Sequence, residues 1–299
     1  MSARPRVFGM ISTILSTDYT WYALDTFFRH TPLRAEDRFL LIDNDVGSVD
    51  EARLKRDFPA AELLSNPSPR GFATNMNQIL RAASDAEADA FLLNNDIIFS
   101  PGWLNGMLLD QPWILSACCN MQFQYRTAEI ELKLSMNLED YVGREAAFLA
   151  LVEYHRKRVS GYQLIHSVPY YCVKVPPEVY RNVGFLDESF GEAFWEDTDY
   201  LLRAWERGYP TLFALDAFVI HFYGKSTWRA EVPENLKHRE PSKSKAGETA
   251  FRKKWGEEIA QAFGFQSPEG LRALRVAEQS ALAACYASFV RSRKPKVPG

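Results

Sequence analysis

The chain is short of the features that mark several large protein classes. It has four cysteines in 299 residues. Cys118, Cys119, Cys172 and Cys285 form no C-x-x-C pair and have no histidine at metal-finger spacing, so reduced, mostly buried thiols are expected. No run approaches the ~20 apolar residues of a membrane span. The opening MSARPRVFGMIST lacks the apolar segment and small-residue cleavage site of a signal peptide, and a cytoplasmic location is the expectation. An excess of one charge is missing too: 35 Lys+Arg against 38 Asp+Glu leave a net charge of -3. No nucleic-acid partner is therefore expected. The basic stretch RSRKPKVPG is the local exception, a solvated end able to rest against anionic lipid on the inner face of a membrane.

Glycine is missing at a place where it would matter. Y-G-K-S-T, from Tyr223, looks like the end of a phosphate-binding loop, but G-x-x-x-x-G-K-[ST] requires glycine where Val219 stands. That reading fails on spacing. No internal repeat or low-complexity tract occurs beyond a polar linker, PENLKHREPSKSKAGE.

What is present is a core-forming pattern, with 46% hydrophobic residues. Short apolar runs ending in polar residues read as buried strands: Arg6 to Thr13, Arg38 to Asp45, Ala61 to Asn66 and Ala90 to Asp96. Between them TWYALDTFFRHT, VDEARLKRDF and GFATNMNQILRAASDA have helical periodicity. Alternation of this kind predicts an α/β fold, a mostly parallel central sheet flanked by helices. Ligands then bind beyond the carboxyl ends of the strands. WILSACCNM and SVPYYCVKVP read as further strands, TLFALDAFVIHFYGKS as two short closing ones, and EDTDYLLRAWERG as a helix. A helical insertion is expected at about 129–158, with amphipathic helices over Thr249 to Phe263 and Pro268 to Phe289. The expected division is a catalytic domain over 1–245 and a helical extension with the basic tail over 246–299.

The stretch FLLNNDIIFSPGWL poses a specific question, because it ends a core strand with Asn94, Asn95 and Asp96 and returns at once to Ile97, Ile98 and Phe99. Taken alone, N-N-D is a turn whose side chains bond the local backbone. A carboxylate at a strand end also offers a hard divalent cation an oxygen ligand, the remaining positions going to diphosphate and water. Asn75 and Asn77, at the start of a helix entered through Gly71, face a similar choice between ordinary polar residues and an anion site. Glu196 and Asp197 begin a helix, where acids are common for dipole reasons alone. His221, closing V-I-H, is in isolation more often a satisfied half-buried histidine than a ligand.

Order and spacing give these segments a shared context. IDNDVGS, RGFATNMNQ, NND, VGFLDESFGEAFWEDTDYLLRAWERG, VIHFYGKS and AFRKKWGEE together resemble a family-2 glycosyltransferase of the GT-A fold, most similar to the rhamnosyltransferase-like branch, over roughly residues 5 to 260. The resemblance implies that Asp96 is the last acid of a D-x-D motif holding Mg²⁺ or Mn²⁺ on the donor diphosphate, with Asn94 at its first position. It implies that His221 completes the metal site and that Asp197, in E-D-x-D, is the catalytic base positioned by Glu196, with Asp199 structural. Asp187 and Glu188 match its F-D-E turn, in a supporting or acceptor-facing role. Thr13, Asp43, Asn44, Gly71, Asn75, Asn77, Asn94, Asn95, Lys225 and Ser226 would contact the nucleotide or its phosphates. Asp45 and Val46 intrude on the usual shorter D-N-x-S pattern.

The activity so implied is inverting, metal-dependent transfer of a sugar, hexosyl or deoxyhexosyl, from a UDP-, dTDP- or GDP-linked donor. The acceptor is a hydroxyl of a glycan, lipid-linked glycan, protein or small molecule. Two alternatives stand beside it. One is a catalytically silent GT-A protein that binds a nucleotide or glycan. The other is a sugar-phosphate nucleotidyltransferase, which needs a Gly-rich, Lys/Arg-containing loop directly after the first strand; MISTILSTDYTWY, following Gly9, has no glycine.

Overall fold

The structure is a computed structural model that describes residues 4–120, 136–164, 170–222, 224–225 and 240–263. The first strands form where the apolar runs predicted them: β1 (Arg6–Ser12), β2 (Arg38–Asp43), β3 (Ala61–Ser65) and β4 (Asp89–Asn94). They pair in parallel in the order β3-β2-β1-β4. The intervening helices are α1 (Thr17–His30), α2 (Glu51–Asp57) and α3 (Phe72–Asp85). Asp50 caps α2 by accepting from the Arg53 N–H at 2.9 Å, which satisfies one of the orphan donors of a helix start.

Period-two alternation gives the sheet two buried faces. Val7, Leu40 and Leu92 face Met76, Ile79 and Leu80 of α3. Their neighbours Phe8, Leu41 and Leu93 face Leu24 and Phe27 of α1, with Trp103. Burial on both sides fixes the register, because a one-residue slip would exchange the two sets.

The second half is mixed. β5 (Ile97–Phe99), β6 (Ile114–Cys119), β7 (Tyr162–Leu164), β8 (Cys172–Val175) and β9 (Thr211–His221) extend the sheet beyond β4. β8 runs antiparallel between β4 and β6, β9 lies parallel to β6, and β5 and β7 pair antiparallel with β9. So β1, β2, β3, β4, β6 and β9 share one direction and β5, β7 and β8 oppose it. The return to Ile97, Ile98 and Phe99 after the polar triplet is thereby explained: Asn95 and Asp96 form the reversal between β4 and β5, whose partner is the end of β9. The two closing strands expected from TLFALDAFVIHFYGKS are one strand, β9. Its register shifts between Ala117–Ala214 and Cys118–Phe218, and the residues looped out there include the polar Asp216 that reads as a break.

The insertion contains α4 (Leu138–Tyr141) and α5 (Glu145–Arg156) among its described residues. His155 bonds the Leu215 carbonyl at 2.8 Å and Arg156 donates to the Asp216 carbonyl at 3.3 Å, so α5 is anchored on the bulge of β9. After β8 come α6 (Pro177–Val183) and α7 (Glu196–Glu206), then α8 (Glu240–Trp255) and α9 (Glu257–Phe263). The polar linker expected up to Glu248 is helical from Glu240, and α8 runs through the expected junction at residue 245. The physical reason lies in its spacing: Gly247, Phe251 and Trp255 recur every fourth residue and form the stripe that packs on α7. The expected helix at Pro268 to Phe289 and the basic tail lie outside the described residues.

Candidate functional site

The parallel strands β1, β2, β4, β6 and β9 end on one edge of the sheet. Because α7 leads down into the start of β9, its N-terminus returns to that same edge. Asp43, Asp96, His221 and the Glu196–Asp197 pair are thus collected on one rim, as ligand sites of open α/β sheets require.

Asp96 is 1% exposed. Its Oδ2 accepts the Lys225 N–H at 3.2 Å, and its Oδ1 stands 3.4 Å from His221 Nε2. Burial would raise its pKa, but His221 and the backbone donor hold it below the usual carboxylate value. Burial would lower His221, yet the Asp96 carboxylate beside it raises it instead. Tyr171 stacks on the imidazole at 4.7 Å between ring centres. Asn120 Oδ1 accepts the His221 backbone N–H at 2.7 Å. Asp96 Oδ1 accepts no hydrogen bond although buried, and a buried carboxylate oxygen beside an imidazole nitrogen is a donor set that suits a divalent cation. Among the described residues no third acid, histidine or cysteine joins them to make a cluster, so a cation held here would need further ligands from the donor. Asn94 is half-buried, with its backbone N–H on the Tyr171 carbonyl.

Glu196 and Asp197 form the second centre. Asp197 Oδ1 accepts the Thr198 N–H at 2.7 Å, while Glu196 Oε2 is buried without a hydrogen-bond partner. Loss of solvent pushes both carboxyls up, Glu196 further because Asp197 adds a like charge beside it. Asp199 is turned into the scaffold, accepting from Arg203 Nε and Trp255 Nε1, each at 2.8 Å. Asp187 accepts from Lys254 at 2.6 Å.

The remaining predicted contacts divide into two groups. Asn44 Oδ1 accepts from Asn66 Nδ2, Asn75 Nδ2 and the Arg70 N–H, all at 2.9–3.0 Å. Asn75 returns its own oxygen to Asn66 at 2.7 Å. This amide lattice ties the ends of β2 and β3 to the start of α3. Asp43 organises the loop after β2 through Ser48 Oγ at 2.5 Å and the Gly47 N–H at 3.1 Å. Gly71 is a point of close approach, since a Cβ there would stand 2.3 Å from the Gly191 carbonyl. Thr13 bonds Ser16 at the end of β1. Lys225 Nζ donates to Asn137 Oδ1 at the cap of α4, 2.7 Å away, which brings the insertion to the Asp96 side.

Two predicted contacts are committed elsewhere. Asn95 is 1% exposed and donates into α1, to Ser16 Oγ at 2.6 Å and Thr20 Oγ1 at 2.8 Å. Asn77 clips the 186–188 segment through the Leu186 backbone and Glu188. Ser226 lies outside the described residues. Sequence reasoning missed Tyr171, Asn120, Asn66 and Asn137. Asn66 and Asn120 could have been found as polar residues directly after strands; Tyr171 and Asn137 carry no comparable signal.

No protein-family model matches the chain, and no curated protein matches it. Among solved structures it is similar to GalNAc-T7 with UDP, GalNAc and Mn²⁺, with a TM-score of 0.54 and 10% identity over 92% of this chain and 55% of that one. It thus spans about half the length of that protein. It is also similar to the mannosyltransferase PcManGT from Pyrobaculum calidifontis with GDP-Man and Mn²⁺, with a TM-score of 0.49, 16% identity, and 96% and 84% coverage. For S. aureus TarS the TM-score is 0.46, with 11% identity and 74% and 37% coverage. The first of these establishes the architecture: an α/β fold of the GT-A glycosyltransferase type, with helices on both faces of a mixed, mostly parallel sheet.

Proposed function

We propose that this chain is an inverting, metal-dependent glycosyltransferase that moves a sugar from a nucleoside-diphosphate donor to an acceptor hydroxyl. The observation that carries the reading is the placement of two unlike acidic centres on one rim. Asp96 is held ionised beside His221, and the Glu196–Asp197 pair is held toward the protonated side of ordinary carboxylates. Environments that push carboxyl pKa values apart mark separate roles.

Asp96 and His221 would hold Mg²⁺ or Mn²⁺, and Asn94 stands at the same strand end. The cation would supply positive charge against the diphosphate as it leaves. Asp197 accepts the acceptor's proton while the hydroxyl oxygen bonds to the anomeric carbon, and the electron pair of the broken bond departs with the diphosphate. Glu196, the harder of the pair to ionise, holds its proton to higher pH and leaves Asp197 as the base. Lys225 is placed to approach the phosphates, the amide lattice of Asn44 and Asn75 sets the loops around the nucleotide, and Asp43 shapes the loop that reads it. Asn77 and Asn95 serve the scaffold. The division at 246 and contact of the basic tail with a membrane are expectations of the same reading.

The experiment is to supply UDP-, dTDP- and GDP-sugars with Mn²⁺ and a panel of hydroxyl acceptors, and to measure nucleoside diphosphate release. Product NMR should show inverted anomeric configuration. Retention would remove the single-displacement step, and release of pyrophosphate from a nucleoside triphosphate and sugar phosphate would establish the nucleotidyltransferase instead.

A further inference from the structure

The turn that delivers Glu196 and Asp197 is made of two aromatic residues in the left-handed region. Phe194 has φ 80° and Trp195 has φ 76°. Bulky residues rarely occupy that region, and a pair of them persists only when the surroundings over-determine it.

The surroundings are supplied by α8. The Trp195 ring lies 4.7 Å from that of Phe251, in a cluster with Phe190, Leu202 and Ala260. Gly247 lets the helix backbone close on the turn: a Cβ at that position would stand 2.5 Å from the Phe194 carbonyl oxygen and 3.2 Å from Trp195 Cδ1. Two turns further along α8, Trp255 Nε1 donates to Asp199 Oδ1 at 2.8 Å, and Lys254 Nζ stands 2.8 Å from the same oxygen. The helix therefore grips the Glu196–Asp197 pair from both sides, at the turn before it and at the residue two positions after it.

We propose that α8 is the positioning element of the transfer site, with Gly247 and Trp255 as positioning residues that fix the left-handed turn and, through it, the two carboxyl groups. The proposal rests on the reading of Asp197 as base. Gly247→Ala is the sharp test, because alanine is the better helix former and leaves α8 intrinsically no weaker. Its methyl group must instead push the turn away.

The expected result is a kcat lowered by roughly 10- to 100-fold, the scale of a misplacement near 1 Å. The donor Kd with Mn²⁺, measured by calorimetry, should be unchanged, since the donor's cation is held at Asp96. Trp255→Phe keeps a packing ring but removes the indole N–H, and should give a smaller loss of kcat in the same direction. It carries the test if Gly247→Ala does not fold. Carboxyl NMR titration needs no turnover and supplies the second readout: Glu196 and Asp197 should move toward ordinary carboxylate values in both variants. Unchanged kcat and unchanged titrations in a folded variant overturn the proposal, as does loss of donor affinity in parallel with kcat. A wild-type protein that transfers no sugar from any donor defeats the functional reading instead, and the titrations alone then decide whether α8 sets the carboxyl pair.

Discussion

At the scale of the residue, chemistry was easier to anticipate than partnership. Asp96, His221, Glu196 and Asp197 stand out in the sequence because acids and a histidine follow apolar runs in a recognisable order. Nothing in the sequence says that Asp43 would spend its carboxylate on Ser48 and Gly47, or that Asn95 would be drawn into α1 by Ser16 and Thr20. Those contacts depend on which loops meet across more than thirty residues of chain. For Asp197 the consequence is measurable. Asparagine at 197 still accepts the Thr198 N–H but takes no proton, so Asp197→Asn should lower turnover by about 10²-fold or more while donor affinity stays near wild type. The pH profile of the wild type gives an independent check with a definite sign. Burial raises Asp197, so the base is lost to protonation at a pH above the ordinary Asp value of ~3.9. Initial rates should therefore fall on the acid side with a midpoint clearly above that value. A midpoint at or below it would show that another group is the base.

At the scale of the element, the first four strands and three helices were legible because each is long enough to show its period and is bounded by polar residues. β5 and β7, at three residues each, are too short to show one. β9 is long but carries a bulge that imitates a strand end. α8 has a thin apolar stripe in a charged sequence, so its burial against α7 could not be inferred from composition. The same helix supplies a stability prediction through Lys254 and Asp187. Burial opposes ionisation of Asp187, but hydrogen bonds from Lys254 and Ser189 hold its pKa down at about 2. A depressed folded pKa means that the stabilisation is present above the unfolded value of ~3.9 and is lost as pH falls through the folded one. Lys254→Met should lower stability at neutral pH by under about 1 kcal/mol, since the pair is partly exposed. Chemical denaturation should show that difference shrinking between pH 4 and pH 2. A difference that stays constant over this window would assign Lys254 to packing on Phe190, or to Asp199, rather than to the Asp187 ion pair.

At the scale of the whole molecule, the sheet direction, the helices on both faces and the placement of acids at one edge combine into a statement about linkage. The β3-β2-β1-β4 half brings the Asn44 lattice to the rim, β4 and β9 bring Asp96 and His221, and α7 brings Asp197. Donor binding should therefore draw on elements from both halves and stabilise the fold as one unit. A ligand at 100 times its Kd adds ~2.7 kcal/mol to the folded state, enough to be seen as a rise in Tm. With a matching nucleoside diphosphate, that rise should require Mn²⁺ or Mg²⁺ and vanish in excess EDTA. Asp96→Ala should keep its own Tm close to wild type, because a residue at a strand end outside the apolar core contributes little packing, yet lose the cation-dependent part of the rise. His221→Ala should do the same in milder form, raising the Mn²⁺ concentration needed before it alters the Tm of the protein alone. If Asp96→Ala shows the full cation-dependent rise, the cation is held elsewhere, and the ion pair of Asp96 and His221 is a structural link between β4 and β9.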